Sequence, residues 1–386
     1  MKNLLIVKFP FESAWGGEEE ITLLLAKVLR KKKYQVKLLT SCPYLHEAFL
    51  KNKFISKKFW FRKTDPVSKL SLLFFPLTAI CLFFSAWFWL LYFKRKKFNK
   101  VLFLRLQEKI IFTIVAKILG YKVFWGEHCP IKRWLLKNPL LFAFKFLAKY
   151  ITFITPSLKM KQKLLQICPL NKAIKVLPNA IENEIIPIFS YKEKKNFLIK
   201  KIYNYKKQDL LIGFAGRLSR EKGLFFVLKV MQELIKKNKN IKLIIAGKGP
   251  LEKEIRKEIK KKSLQKNVFL CGFLQGKALQ QFFSCMDLFC LFSDFETFGL
   301  TLLQAISYSK PVVATNKGAI AEIIIHQENG FLINDNTQKY AQNAVKYISF
   351  LKEKKQREKM GLKGREIFLK NFSLISFTQK AEKIFK

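Results

Sequence analysis

Residues 4–39, LLIVKFPFESAWGGEEEITLLLAKVLRKKKYQVKLL, decide the fold class. The apolar run Leu4–Val7 predicts a strand, and Gly16-Gly17 follow it in a loop. Residues Glu19–Arg30 carry apolar side chains at helical spacing, and Val36–Leu39 predicts a second strand. Strand, glycine loop, helix and strand in this order form a βαβ unit, which implies a parallel sheet with crossover helices.

The same alternation continues along all 386 residues and predicts two α/β halves. Residues 182–208 are polar and weakly periodic, so we expect a linker there. The expected architecture is two Rossmann-like halves joined by a hinge. Further strands are predicted at Val101–Leu104, Lys122–Trp125, Ile151–Thr155, Ile174–Leu177, Leu210–Ala215, Lys242–Ala246, Val268–Cys271, Leu288–Cys290 and Pro311–Ala314, and further helices at Ile131–Tyr150, Ser157–Ile167 and Ser373–Phe385.

The composition excludes several classes of protein. The net charge of +46 divides evenly, +24 in residues 1–186 and +22 in the remainder, whereas a nucleic-acid patch would be uneven. We therefore expect no nucleic-acid partner. The positive charge reflects a Lys-rich composition, and it would attract the protein to anionic lipid. Seven Cys without CxxC spacing and three His argue against disulfides and a metal site, and they suit a reducing cytoplasm. The first apolar run is too short for a signal peptide.

Residues 70–93 form an uncharged, aromatic-rich segment that is long enough to cross a membrane. A single crossing would put the predicted strands on its two sides into different compartments, and both of its flanks are basic. We favour an in-plane or re-entrant element that docks the protein on the cytoplasmic leaflet, with Pro76 near its start. A buried core helix and a true span are the alternatives.

Two stretches of the second half predict anion-binding chemistry. Gly216-Arg217 follow a strand, and Lys222-Gly223 open the next helix five residues later. A glycine lets the backbone approach a ligand closely, and two cations beside a helix N-terminus suit a diphosphate. A solvated loop in a Lys-rich protein is the alternative for this motif. Residues 246–250, AGKGP, form another strand-to-helix turn, in which the two glycines can equally serve packing alone.

The most specific stretch is Ser293–Gly299, SDFETFG. We expect Glu296 to start a helix, where the helix dipole stabilises a carboxylate. Gln304, eight residues later, would then lie on the same face about two turns along. Two such polar groups can hold two ends of one ligand.

Taken together, these segments resemble the family-4 retaining glycosyltransferases of the GT-B fold. The resemblance covers nearly the whole chain, and its motifs are specific only in combination and in this order. It implies two Rossmann-like domains facing across a cleft: an N-terminal acceptor domain, 1–183, completed by the C-terminal helix 373–386, and a nucleotide-sugar donor domain, 184–372. The segments that carry it are FESAWGGEEEITLLLAKVL, WGEHCP, VLPNAIE, FAGRLSREKG, IIAGKGPLEKEI, VFLCGFL, SDFETFGLTLLQAISYSKPVVAT and NGFL.

The resemblance also assigns roles to individual residues. Arg217 and Lys222 resemble the pair that neutralises the donor diphosphate, and Glu296 resembles the first acid of the family's E-x7-E motif, which contacts the transferred sugar. His128 resembles the histidine that approaches that sugar. The implied catalytic residues are thus His128, Arg217, Lys222 and Glu296. The implied donor-binding residues are Gly16, Gly17, Gly216, Gly249, Gly272, Phe273, Phe298, Gly299, Leu300 and Gln304.

Gln304 departs from the family, which has a second Glu at this position to hold the ribose hydroxyls. Because hydrogen bonds to charged groups are stronger than neutral ones, we expect weaker donor binding rather than lost chemistry. The resemblance implies no metal and no cofactor, since the nucleoside-diphosphate-sugar is a co-substrate. The leading expectation is a glycosyltransferase on the inner face of the cell membrane that acts on a lipid-linked or glycan acceptor. The alternatives are a soluble acceptor and a non-catalytic sugar-nucleotide-binding relative.

Two smaller features have two interpretations each. Arg105, Gln107 and Glu108 follow a predicted strand and either contact the acceptor or cap a helix. Glu127 either tunes the neighbouring His128 or makes a structural hydrogen bond.

Overall fold

The computed structural model describes residues 2–9, 15–60, 75–128, 140–171, 173–182, 187–334 and 339–386, with the backbone alone at residues 75–77. The chain divides into two compact units. The N-terminal unit comprises Met1–Asn179 and Phe377–Lys386, and the C-terminal unit comprises Ala180–Ser376. The boundary expected from the sequence, between residues 183 and 184, lies four residues further along the chain, and residues 183–186 are outside the described part.

The N-terminal unit is built on a seven-stranded parallel sheet in the order β3-β2-β1-β4-β5-β6-β7. Its strands are β1 (Lys2–Lys8), β2 (Tyr34–Thr40), β3 (Ile55–Lys58), β4 (Lys100–Phe103), β5 (Lys122–Gly126), β6 (Thr152–Thr155) and β7 (Ile174–Val176). Its helices are α1 (Gly17–Lys31), α2 (Pro43–Lys51), α3 (Phe75–Arg95), α4 (Leu106–Ile118), α5 (Leu140–Ala148) and α6 (Leu158–Ile167). Of the predicted helix Ile131–Tyr150, residues 131–139 lie outside the described part.

The central strand β1 shows why the opening sequence is a continuous apolar run. Leu4–Val7 are fully buried, because the parallel sheet has helices on both of its faces. In the register, Leu5 lies beside Lys37 of β2 and Val101 of β4, so the strands before and after residues 70–93 do share one sheet.

Helix α3 contains most of the uncharged segment, whose residues 70–74 lie outside the described part. One face of the helix, formed by Leu82, Ala86, Leu90 and Phe93, is buried in the core of the unit. The opposite face leaves Phe84 and Phe88 exposed. The helix is therefore buried on one face and exposed to solvent on the other. In the described parts of the chain, every helix is too short or too polar to cross a membrane.

The C-terminal unit has a six-stranded parallel sheet in the order β10-β9-β8-β11-β12-β13. Its strands are β8 (Leu210–Ala215), β9 (Ile241–Ala246), β10 (Val268–Gly272), β11 (Leu288–Leu291), β12 (Val312–Thr315) and β13 (Gly330–Ile333). Its helices are α7 (Tyr191–Lys201), α8 (Leu224–Lys237), α9 (Glu252–Lys261), α10 (Gly276–Cys285), α11 (Leu300–Ser307), α12 (Ile320–Ile323), α13 (Tyr340–Phe350) and α14 (Lys354–Asn371). The last helix, α15 (Leu374–Phe385), leads back into the N-terminal unit.

The prediction of a linker over residues 182–208 is wrong in its middle, where the chain forms helix α7. Ser190 and Glu193 form a capping box, in which each side chain bonds the other residue's backbone N–H. Phe197 and Leu198 are buried against the core of the C-terminal unit. Because five of the eleven residues of α7 are lysines, these two buried side chains give only a weak signal in the hydropathy pattern.

Candidate functional site

The strand order of the C-terminal sheet locates its candidate site. The first strand, β8, lies between β9 and β11, so the order of the strands reverses there. In open parallel sheets, ligands bind at the carboxyl ends of the strands beside such a switch point. The loops that follow β8 and β11 contain Arg217 and Ser293–Glu296, the residues that the sequence singles out.

The loop after β8 presents the two cations. Arg217 is exposed two residues beyond the strand, and the 3-10 turn Arg220–Lys222 brings Lys222 to a half-buried position. Burial alone would raise the pKa of Glu221, but the Ser219 hydroxyl, Lys222 and Arg217 hold it below its ordinary value. Both cations therefore act on the same small region, as a diphosphate site requires.

The loop after β11 brings Glu296 to one of these cations. Lys222 Nζ lies 2.6 Å from Glu296 Oε1, and the Ser293 hydroxyl donates to the same oxygen at 2.7 Å. Glu296 is 8% exposed and Ser293 is fully buried. The two loops are also joined through their backbones, because the Asp294 N–H donates to the Glu221 carbonyl at 2.8 Å. Ser293 belongs to the quoted motif, but the sequence gives no indication of its bond to Glu296.

The expectation that Glu296 starts a helix is wrong. Helix α11 begins at Leu300, after Gly299 with φ +100°, a left-handed conformation that strains any residue with a side chain. Glu296 lies in the preceding loop, so it and Gln304 do not share a helix face. Gln304 is half-buried in the second half of α11. Phe298 is buried and packs against Phe372, which leaves only its backbone for a ligand.

Four further predicted donor-binding residues lie where neighbouring strands end. The Gly216 N–H donates to the Ala246 carbonyl at 3.0 Å, and the Gly247 N–H donates to the Gly272 carbonyl at 2.7 Å. Gly249 lies in the turn whose Lys248 carbonyl accepts a bond from Leu218. The carboxyl ends of β8, β9 and β10 are thus tied together by backbone bonds. Phe273, just past β10, is about half exposed.

The N-terminal sheet has its own switch point between β1 and β4. Gly16 and Gly17 lie at the start of α1, where the Gly16 N–H donates to Glu19 Oε2 at 3.0 Å. Lys8, the last residue of β1, is buried and forms ion pairs with Glu18, at 3.5 Å, and with Glu19. Burial raises the pKa of Glu18, but Lys8 and Arg105 outweigh it and hold that pKa below its ordinary value.

Of the two interpretations of Arg105 and Glu108, the structure supports the helix cap. Glu108 Oε1 accepts the Arg105 N–H at 2.7 Å at the start of α4, and it also faces the Phe9 N–H. Glu108 is fully buried, and burial raises its pKa to about 8. Its carboxyl group is therefore protonated at neutral pH.

Glu127 likewise makes a structural ion pair rather than a bond to His128. The buried Lys109 Nζ donates to Glu127 Oε1 at 2.5 Å and to the Gly126 carbonyl at 2.7 Å. This fixes the chain between β5 and His128. Burial lowers the pKa of His128 to about 4, so the imidazole is neutral at pH 7 and can donate or accept a hydrogen bond. The sequence offers no signal for the Lys8 and Lys109 pairs, because their partners lie on other elements: Glu18 and Glu19 on α1, and Glu127 just after β5.

Among the residues with described positions, His, Cys, Asp and Glu form no group of three or more that could hold a metal ion.

Residues 195–367 match the family model of glycosyl transferases group 1. An uncharacterized glycosyltransferase of Methanocaldococcus jannaschii is 29% identical over 196 residues, 50% of this chain and 49% of that protein. The 2-deoxystreptamine N-acetyl-D-glucosaminyltransferase of Niallia circulans is 27% identical over 236 residues, 59% of this chain and 57% of that protein. The chain thus spans about half the length of the curated relatives that it matches.

Structural similarity extends much further. The crystal structure of Anabaena HepE in complex with UDP and glucose covers 99% of both chains at 17% identity, with a TM-score of 0.79. Together with the two parallel sheets, this likeness shows that the chain has the GT-B fold expected from its sequence.

Proposed function

We propose that this chain, whose residues 195–367 match the family model of glycosyl transferases group 1, transfers a sugar from a nucleoside-diphosphate-sugar to an acceptor with retention of configuration. The observation that carries the proposal is the cluster of Arg217, Lys222 and Glu296 at the switch point of the C-terminal sheet. It combines two cations for a diphosphate with one carboxylate for sugar hydroxyls.

In the proposed reaction, the bond between the anomeric carbon and the diphosphate oxygen breaks while the acceptor oxygen bonds to that carbon from the same face. The proton of the acceptor hydroxyl passes to the departing phosphate. Negative charge grows on the leaving group, and Arg217 and Lys222 stabilise it in place, so the proposal needs no metal. The first backbone amides of α11, after Gly299, would add to this stabilisation.

Glu296 accepts hydrogen bonds from the sugar in this scheme, and Gln304 holds the ribose with a neutral amide. His128 contributes as a neutral imidazole, because its pKa of about 4 excludes a cation at pH 7. Gly16 and Gly17 contribute backbone amides at the start of α1.

We further propose a lipid-linked acceptor at the cytoplasmic face of a membrane, with the outer face of α3 as the docking surface. Phe84 and Phe88 on this face are 68% and 64% exposed. With Trp87 they line a shallow cavity of about 390 Å³ that ends at Arg95 and Lys96. Exposed aromatics beside cations complement the apolar boundary and the negative charge of an anionic bilayer. The described cysteines are all free thiols, which suits a reducing compartment.

The first experiment tests the chemistry by measuring nucleoside-diphosphate release from UDP-, GDP- and ADP-sugars with polyprenyl-phosphate-linked acceptors. We expect turnover with one donor, lost in Glu296→Ala and kept in Glu252→Ala, which removes a surface carboxylate of α9. Saturable donor binding without any turnover would instead favour the non-catalytic relative that Gln304 suggests. Absence of both binding and turnover would overturn the proposed function.

The second experiment tests the membrane by co-sedimentation with vesicles containing anionic lipid. We expect Phe84→Ser/Phe88→Ser to bind vesicles at least about tenfold more weakly than the unchanged chain, because two aromatic side chains that enter the bilayer would each contribute more than about 1 kcal/mol. Ile188→Ser, which removes a 98% exposed apolar side chain of the C-terminal unit, is the control. Equal vesicle binding by all variants, with undiminished transfer to a soluble acceptor, would favour the soluble alternative.

A further inference from the structure

One carboxylate oxygen in the C-terminal unit has two different donors. Glu296 Oε1 accepts from Lys222 Nζ at 2.6 Å and from the Ser293 hydroxyl at 2.7 Å. Lys222 is half-buried on a long, flexible side chain, whereas Ser293 is fully buried on a short one. The two donors therefore differ in mobility: the lysine can leave, and the serine cannot.

Ser293 is held by its surroundings. Its carbonyl accepts the Thr315 hydroxyl at 2.7 Å, which ties the loop after β11 to the end of β12. This fixed hydroxyl points at the carboxylate whether or not Lys222 is present, as a preorganised hydrogen-bond donor should.

The backbone of Glu296 is held as well. Its carbonyl accepts the Ala319 N–H at 2.9 Å. Gly318 packs so closely against it that a Cβ at this position would lie 2.1 Å from the Glu296 carbonyl oxygen. Both the main chain and the side chain of Glu296 are thus in place before a donor arrives.

Lys222 has competing partners if the proposed function holds. A diphosphate carries more negative charge than one carboxylate and attracts the lysine more strongly. When Lys222 turns toward it, Glu296 loses an ion pair while still largely buried, which is costly unless another donor remains.

We propose that the Lys222–Glu296 ion pair is a latch that the donor diphosphate opens, and that Ser293 is the positioning residue that keeps Glu296 in place once it is open. This inference rests on the proposed function. It assigns Ser293 an effect on nucleotide affinity that acts only through Glu296.

The test is a double-mutant cycle on binding of UDP, GDP or ADP, whichever binds most tightly, measured by calorimetry. We expect Glu296→Ala to bind the nucleotide about threefold to tenfold more tightly, because Lys222 no longer has to leave a partner. Ser293→Ala should bind it more weakly by a similar factor. In the Glu296→Ala background, Ser293→Ala should have no further effect.

Ser307→Ala is the matched control, because Ser307 is also buried and its hydroxyl bonds a backbone carbonyl, that of Gln304, at 2.7 Å. We expect this variant to bind the nucleotide normally. Equal losses from Ser293→Ala with and without Glu296 would mean that Ser293 only supports the fold, and would overturn the inference. The cycle needs no turnover, so an inactive chain that shows it would refute the proposed transfer and leave the latch intact. Failure of all three nucleotides to bind would overturn both.

Discussion

Both units have a switch point at the first strand of their sheet, but the charged residues around it are arranged differently. In each sheet the first strand lies at the switch point, with β1 between β2 and β4 and β8 between β9 and β11. In each unit, charged residues lie at or just beyond the carboxyl ends of the strands beside this point. At the N-terminal switch point the cations are already paired and buried, since Lys8 contacts Glu18 and Glu19.

The rest of the N-terminal network is equally self-contained. Arg105 pairs with Glu18 at 2.8 Å, and Lys109 pairs with Glu127 at 2.5 Å. A fourth carboxyl group, that of Glu108, is kept neutral because burial raises its pKa. Three cations thus face three carboxylates in this network, so its charges stabilise one another.

At the C-terminal switch point, by contrast, Arg217 is exposed, and Lys222, which pairs with Glu296, is only half-buried. Positive charge is therefore accessible there to an anionic ligand. The sheet topology therefore determines where a site can form, whereas the balance and burial of its charges determine which ligand it can bind. The C-terminal switch point thus leaves cations accessible, as the proposed diphosphate site requires, whereas the N-terminal one keeps its cations paired with carboxylates.

Removal of the accessible positive charge at the C-terminal switch point should have the largest effect. We expect Lys222→Ala to lower kcat/KM for the sugar donor by about 10²–10³, the usual effect of deleting one group that stabilises a developing anion. Lys253→Ala removes an exposed lysine of α9 and should change little. Initial rates over a range of donor concentrations measure both variants, and a loss below about tenfold for Lys222→Ala would contradict the assignment of the diphosphate to this point.

The self-contained network can be tested through pH. The folded-state pKa of Glu108, about 8, exceeds the ordinary value of 4.5, so the folded chain binds this proton more tightly than the unfolded chain does. Stability from this group is therefore full below pH 4.5 and is lost as the pH rises toward 8. Glu108→Gln keeps the accepting oxygen and cannot ionise. We expect it to unfold with a free energy larger than that of the unchanged chain by about 1–3 kcal/mol at pH 9, and to gain nothing at pH 5.

Tryptophan fluorescence follows the unfolding of the N-terminal unit alone, because all six Trp lie within residues 15–134. Urea unfolding at the two pH values gives the free energies. Glu47→Gln, which changes an exposed carboxylate of α2 paired with Lys51, should show no gain at pH 9. A gain of the same size at both pH values would mean that Glu108 is not protonated in the folded chain.

Most of the fold could be predicted because parallel strands buried on both faces are continuous apolar runs. The strands that the sequence missed, β3 and β13, lie at the edges of their sheets. Of these, β3 is the short and largely exposed ISKK, which has no such run. The sequence analysis did not predict helix α7, because two buried apolar side chains among five lysines give only a weak helical periodicity.

The sequence singles out Arg217, Lys222 and Glu296 as candidate site residues, but it does not predict how they are arranged. The loop of Glu296 was mistaken for a helix start because only the left-handed Gly299 marks where α11 begins. The ion pairs Lys222–Glu296 and Lys109–Glu127 join residues 74 and 18 positions apart, which the sheet brings together and no local spacing reveals. The roles that the resemblance assigns to Gly16, Gly17 and His128 stay predictions.

The smallest expected effect concerns the departure from the family pattern. Gln304 is half-buried on α11 in the unit whose charge we consider accessible. A carboxylate accepts hydrogen bonds from ribose hydroxyls more strongly than an amide does, so Gln304→Glu should lower the donor KM by about threefold to tenfold and leave kcat within about twofold. Gln281→Glu, a half-buried position of α10, is the matched control for the added negative charge. If Gln304→Glu instead raises the KM by as much, the added charge repels the diphosphate more than it binds the ribose, and residue 304 lies nearer to the phosphates than the resemblance implies.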